Sequence, residues 1–230
     1  VTTPFQLHNR YEISIDHTAR SNIVNSVRFT SPNGEFVYTL EHQGSLDNFA
    51  STLQVTTPIN GHERYSFAVT HDSSSATSVS SFVEATLPMG VFAARLSHNG
   101  DSSAFNTKVE VSTPFNGFNK YQWNLDHSAR DASSISTSTQ MITPQGEVSF
   151  ALSHNGQPTN FETAITVTTP FDGFNRFHLT IDHDCSVAQK VVQNMRLSTS
   201  MGDFSYGMNF NGVPSRMTGN LQITTPFAGY

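Results

Sequence analysis

Apolar and polar residues alternate along most of the chain, and the alternation restarts four times. Tyr11, Ile13, Ile15 and His17 stand at every second position, and Tyr65, Phe67, Val69 and His71 repeat the pattern. Tyr121, Trp123, Leu125 and His127, then Phe177, Leu179, Ile181 and His183, repeat it again. A period of two means a β-strand with one apolar face ending in histidine. The intervening Glu12, Ser14 and Asp16, or Gln122, Asn124 and Asp126, form the wet face. A second, weaker strand carries Ile23, Val27 and Phe29, with counterparts Val79, Val83 and Ala85, Ile135 and Met141, and Val191, Met195 and Leu197. The third is again clear: Phe36, Tyr38, Leu40 and His42; Phe92 to His98; Val148, Phe150, Leu152 and His154; Phe204, Tyr206, Met208 and Phe210. A fourth runs through Phe49, Leu53 and Val55 and its equivalents. No stretch carries a helical stripe, so the expected fold is all-β.

The strands are punctuated by Thr-Pro-(Phe/Ile), whose prolines stand at 4, 58, 114, 170 and 226, with spacings of 54, 56, 56 and 56. A fixed period of this length is the mark of a repeat architecture. Four units follow, 5–58, 59–114, 115–170 and 171–226. Residues 1–4 read as the end of a preceding unit and 227–230 as the start of another. Each unit is expected to be a four-stranded antiparallel meander. Its turns are placed at Pro32, Pro88 and Pro144 with the glycines behind them, and at Gln43-Gly44, Asn99-Gly100, Asn155-Gly156 and Asn211-Gly212. The chain opens with Val1 and both ends fall inside the motif, which points to a segment of a longer or processed polypeptide.

Composition narrows the function. Only 13% of the 230 residues are charged and the net charge is -6. Such a chain has no basic surface with which to displace counterions from a phosphate backbone, which argues against nucleic acid. No apolar run is long enough for a transmembrane segment. The single cysteine, Cys185, forms no internal disulfide, sits in an expected loop and reads as an incidental thiol. No Asn-x-Ser/Thr sequon occurs among 18 asparagines, which would suit a secreted sheet unable to carry sugar on packed faces.

A sheet with one apolar face needs a cover. Blades stacked face to face in a closed β-propeller are one solution, but the off-face positions of strand three (Thr39, Glu41, Arg95, Ser97, Ser149, Ser153) are small or polar, against burial on both sides. Stacking on a second sheet, of the same chain or of another copy, gives a structural fibre, matrix or shell, and a homo-oligomer. Lipid is the third cover. Thr-Pro-Phe-x-Gly-Phe followed by an amphipathic strand (Thr113 to Leu125, Thr169 to Ile181) resembles the amphipathic β region of large lipid transfer proteins of the apolipophorin and apolipoprotein B type. That resemblance implies a non-enzymatic, extracellular component of a lipoprotein-like carrier particle, needing no cofactor. The residues assigned to the lipid- or sheet-packing face are Tyr11, Ile13, Ile15, Phe36, Tyr38, Tyr65, Phe67, Phe92, Tyr121, Trp123, Phe150, Phe177 and Phe204.

Seven histidines recur at equivalent places: His17, His71, His127 and His183 close strand one, and His42, His98 and His154 close strand three. Asp-His neighbours on a strand point to opposite faces and make no catalytic relay. The histidines are weak metal candidates, since equivalent ones are about 19 Å apart, four strand spacings. Capping of strand ends is the favoured role; pH-sensitive or metal-linked assembly is the alternative.

Overall fold

The computed structural model describes residues 10–20, 22–213 and 215–227. The described residues form sixteen strands and no helix. The first repeat supplies β1 (Glu12–Ala19), β2 (Asn22–Ser31), β3 (Gly34–Ser45) and β4 (Asn48–Thr56). The second supplies β5 (Arg64–Ser75), β6 (Ser78–Leu87), β7 (Gly90–Asp101) and β8 (Ala104–Ser112). The third has β9 (Lys120–Asp131), β10 (Ser134–Thr143), β11 (Gly146–Gln157) and β12 (Asn160–Thr168), and the fourth β13 (Arg176–Asp184), β14 (Lys190–Thr199), β15 (Gly202–Val213) and β16 (Arg216–Thr224). Hydrogen-bonded strand order follows chain order from β1 to β16, without a crossover. The fold is the all-β antiparallel meander that the alternation implies.

Two units are distinguished. One runs to Asn99 and takes in Lys108–Tyr121; the other comprises Gly100–Thr107 and the residues from Gln122 onward. In the first, Leu40 faces Leu53, which faces Phe67, which faces Ala85, which faces Phe92. Residues paired across an antiparallel ladder share a face, so the apolar positions of all these strands lie on one side. In the second, Leu152, Ile165, Leu179, Leu197 and Phe204 make the corresponding row.

This pairing removes the propeller. Blades are separate sheets, whereas here the last strand of one repeat hydrogen-bonds to the first of the next. β4 pairs with β5 over Asn48↔Asp72 to Thr56↔Arg64, and β12 with β13 over Asn160↔Asp184 to Thr168↔Arg176.

The Thr-Pro motif is explained by the loop between repeats. The Thr57 hydroxyl donates to the His62 carbonyl (2.6 Å) and accepts from the Ile59 N–H (3.2 Å), while the Thr57 N–H donates to Glu63 (2.9 Å). Inside that staple the His62 N–H reaches back to Ile59 (2.9 Å), with Gly61 at φ 78°. That is type II turn chemistry, which demands glycine at the third place. Thr113 with Gly117, and Thr169 with Gly173, repeat it. The proline serves another contact. A Cβ added to Gly34, Gly90, Gly146 or Gly202 would fall 2.3–2.5 Å from the Cβ of Pro58, Pro114, Pro170 or Pro226. Each β2–β3-type turn glycine thus seats the proline that ends its own repeat, which ties the spacing of the two motifs to the register.

The Asn-Gly dipeptides are not hairpin turns, contrary to expectation. Asn99-Gly100 and Asn155-Gly156 lie inside β7 and β11, and the turns fall beyond them, at Ser102-Ser103 and Pro158-Thr159. The glycines do take positive φ (116° and 120°), but they use it to let the partner strand approach. A Cβ on Gly100 would meet the Ala104 carbonyl at 2.1 Å, and one on Gly156 the Asn160 carbonyl at 2.1 Å.

Candidate functional site

Register places the expected packing face on one side of the sheet in each unit. Ile13 pairs with Phe29 and Phe29 with Phe36; Tyr38, Val55 and Tyr65 form a second row. Trp123 pairs with Met141, Met141 with Val148, and Phe150 with Val167, which in turn faces Phe177. Tyr11 stands just before β1, its ring 6.2 Å from Phe29. Phe92 takes the edge of Phe115 at 5.5 Å, so this loop phenylalanine extends the apolar face beyond the strand ends.

Among the described residues none is buried. The aromatic rows are half-shielded by one another and no more: Phe67 and Trp123 are each 40% exposed, Met141 50%, and Ile13 and Ile15 on β1 66% and 67%. A tryptophan exposed to that extent leaves on the order of 100 Å² in water, which costs about 2 kcal/mol relative to an apolar cover. The penalty recurs along both units.

The opposite face carries chains of side-chain hydrogen bonds and ion pairs, with Arg95 lying over Phe82 there (5.1 Å to the ring centre). Gln122 donates to Asn124 (3.1 Å), Asn124 to Gln140 (2.9 Å) and Gln140 to Glu147 (2.7 Å). Asn106 donates to Asp126, Thr166 bonds His178 at 2.8 Å, and Arg28 pairs with Glu35 and Arg196 with Asp203 at 2.9 and 2.6 Å. These groups satisfy one another and need only water above them.

The recurrent histidines belong to the apolar face, and in four of them Nδ1 is paired with a hydroxyl of the neighbouring strand. His42 Nδ1 meets the Ser51 hydroxyl at 2.6 Å, His71 that of Ser81 at 2.8 Å, His127 that of Thr137 at 2.8 Å and His154 that of Thr163 at 2.8 Å. Between histidines of successive strands sits a phenylalanine. Phe49 lies 5.8 Å from His42 and 5.5 Å from His71; Phe161 lies 5.4 Å from His154 and 5.1 Å from His183. Phe105 stands 5.1 Å from His127. His98 has a partner of its own, and His17 lies in β1 two residues before its end at Ala19. A ring between two imidazoles keeps them apart, and among the described residues no group of three or more His, Cys, Asp or Glu is placed to hold a metal ion.

Sequence reasoning missed the hydroxyl partners and the intervening phenylalanines. The signal was available in the fourth repeat, where all three change together: Phe210 replaces the histidine, Gly219 the hydroxyl and Met217 the phenylalanine. The Phe210 ring lies over Gly219, so that a Cβ there would meet its Cδ1 and Cε1 at 2.5 Å. A hydrogen-bonded pair has been exchanged for a packed one.

Aspartates mark the same strand ends, at the hairpin turns beyond the histidines. Asp72, Asp101, Asp131 and Asp184 accept from the hydroxyl and N–H of the serine two residues on, which holds their carboxyls below the usual 3.8. Cys185, half-buried, donates its N–H to the Thr159 carbonyl at 2.7 Å, in a loop as expected. No helix among the described residues is long and apolar enough to cross a membrane. No protein-family model, curated protein or solved structure matches the chain.

Proposed function

We propose that the chain is a non-enzymatic, secreted lipid-covering element, whose amphipathic sheet lies with its aromatic face on the apolar core of a lipoprotein-like particle and its polar face in water. The observation that carries this reading is the contrast between an apolar face in which no residue is buried and a polar face already satisfied by its own hydrogen bonds. A fluid apolar phase conforms to such a surface, including the protruding Phe115, Phe171 and Phe174, which are 52–64% exposed. The likeness of the Thr-Pro-Phe-x-Gly-Phe units to large lipid transfer proteins supports the same reading. Its weight lies in the strands that follow the motif, because the motif itself is turn chemistry.

Flotation tests it. Purified chain mixed with a triolein emulsion coated by phosphatidylcholine should rise with the droplets and resist removal by 1 M salt, since the attraction is apolar rather than ionic. Chain that stays in the subnatant as a lipid-free assembly with its aromatic face shielded would replace this reading with stacked sheets in a fibre or shell.

A further inference from the structure

Six asparagines of the chain stand directly before a glycine: Asn33, Asn60, Asn99, Asn116, Asn155 and Asn211. All six are exposed. In such a pair the glycine nitrogen can reach the asparagine side-chain carbon, because no Cβ on the second residue stands in the way. What differs among the six is how each glycine nitrogen is held. We propose that Asn116 is a modification site, at which the chain converts itself to aspartate and isoaspartate through a cyclic imide. The Gly117 nitrogen bonds to the Asn116 Cγ, and the side-chain nitrogen leaves as ammonia, taking the amide proton. Water then opens the ring at either carbonyl and is the only co-reactant.

In the β8–β9 loop the Phe118 N–H closes a turn on the Phe115 carbonyl (3.0 Å), with Asn116 and Gly117 at its centre and Gly117 at φ 80°. Among the described residues nothing accepts from the Gly117 N–H, and the space where a Cβ would stand is open. The peptide between the two can rotate, since type I and type II turns differ mainly in its orientation and glycine takes either sign of φ. The other pairs are held. Gly61, in the equivalent turn of the β4–β5 loop, donates its N–H to the Glu63 carboxylate at 2.9 Å, which keeps that carboxyl below its usual 4.5. Asn119 stands where Glu63 would be. The Gly156 and Gly212 N–H groups donate to the carbonyls of Ser133 and Gln189 at 2.8 and 2.7 Å. Gly34 pairs with Ser31 in the β2–β3 ladder against Pro58, and Gly100 is wedged on the Ala104 carbonyl within β7. The β12–β13 loop carries the product already: Asp172 precedes Gly173 in the same turn, closed by the Phe174 N–H on Phe171 at 3.0 Å, so the turn accepts the carboxylate. Isoaspartate instead lengthens the main chain by a methylene inside the staple that the Thr113 hydroxyl makes to Phe118.

The test follows all six sites at once. Full-length folded chain is incubated in mildly alkaline buffer made with heavy-oxygen water, then digested and read by tandem mass spectrometry. Asn116 should convert about tenfold or more faster than Asn33, Asn99, Asn155 and Asn211, the rate equivalent of one hydrogen bond worth about 1.4 kcal/mol. Its product should carry heavy oxygen and contain isoaspartate beside aspartate. Asn60 should fall between, and Glu63→Ala should bring it level with Asn116. In urea the six rates should converge, because the hold on each glycine and not the dipeptide sorts them. Equal rates in the folded chain, or a lead for Asn116 that survives unfolding, overturn the proposal. So does aspartate without isoaspartate, which means hydrolysis with no ring, and an Asn60 rate unmoved by Glu63→Ala contradicts the hold. None of these readouts involves lipid, so the outcome of flotation leaves the site untouched.

Discussion

The two faces of the sheet solve the same backbone with opposite chemistry. On the polar face, amides, hydroxyls and charges are hydrogen-bonded to each other, as in the Gln122–Asn124–Gln140–Glu147 chain. On the apolar face the polar atoms are few, and those with described contacts are paired locally, as His154 is with Thr163 and the Trp123 Nε1–H with Thr139 at 2.7 Å. One face is therefore complete in water. The other has had its hydrogen-bonding groups quieted, which suits contact with something that offers none. The difference is the ground for resting the proposed function on a surface rather than a pocket, and each prediction tests whether the faces behave as differently as they look.

The largest effect should come from making the faces alike. Leu53→Ser with Phe67→Ser removes two apolar side chains that face each other. The expected cost is about 3 kcal/mol of transfer energy, which is a loss of about a hundredfold in emulsion binding. On the other face, Ser138→Ala with Ser153→Ala should leave binding within about twofold.

Next comes the device that decides which residues occupy which face. Gly90→Ala should destabilise by about 2–3 kcal/mol in urea unfolding followed by circular dichroism. Its φ is +132° and the new methyl would meet Pro114 at 2.3 Å. Thr113→Val, which loses a donated and an accepted hydrogen bond in the following loop, should cost about 1 kcal/mol or somewhat more by the same measurement.

These loop contacts also show where sequence reading stops. The faces were legible in full, because a period of two assigns Trp123 and Asn124 to opposite sides without reference to any other strand. The division into four-stranded units was legible too, since the sixteen strands fit four units of four. What Gly34 does was not, since its partner Pro58 lies 24 positions away and only the strand register brings them together. Asn99-Gly100 misled for a related reason. The dipeptide announces positive φ, and positive φ serves a close strand approach as well as a turn. The His–hydroxyl pairs needed a cross-strand register, although the joint change to Phe210 and Gly219 pointed to them.

The smallest effect concerns acid. Asp72, Asp101, Asp131 and Asp184 are held low by their serines, so their folded values lie below the unfolded one. Their contribution is therefore fully present above the usual value of 3.8 and is lost as pH falls through the lowered values. Stability should be flat from neutral pH to about 5 as far as these groups are concerned, then fall. Asp131→Asn should blunt that acid limb slightly; a limb unchanged by all four substitutions would remove these turns as its source.

The single tryptophan reports on the central claim directly, because Trp123 stands on the apolar face, paired with Met141, and is 40% exposed. Its emission should shift to the blue when triolein–phosphatidylcholine emulsion is added, and should be quenched when the lipid is brominated. Trp123 emission that stays red, open to acrylamide and indifferent to brominated lipid at saturating emulsion would contradict the account.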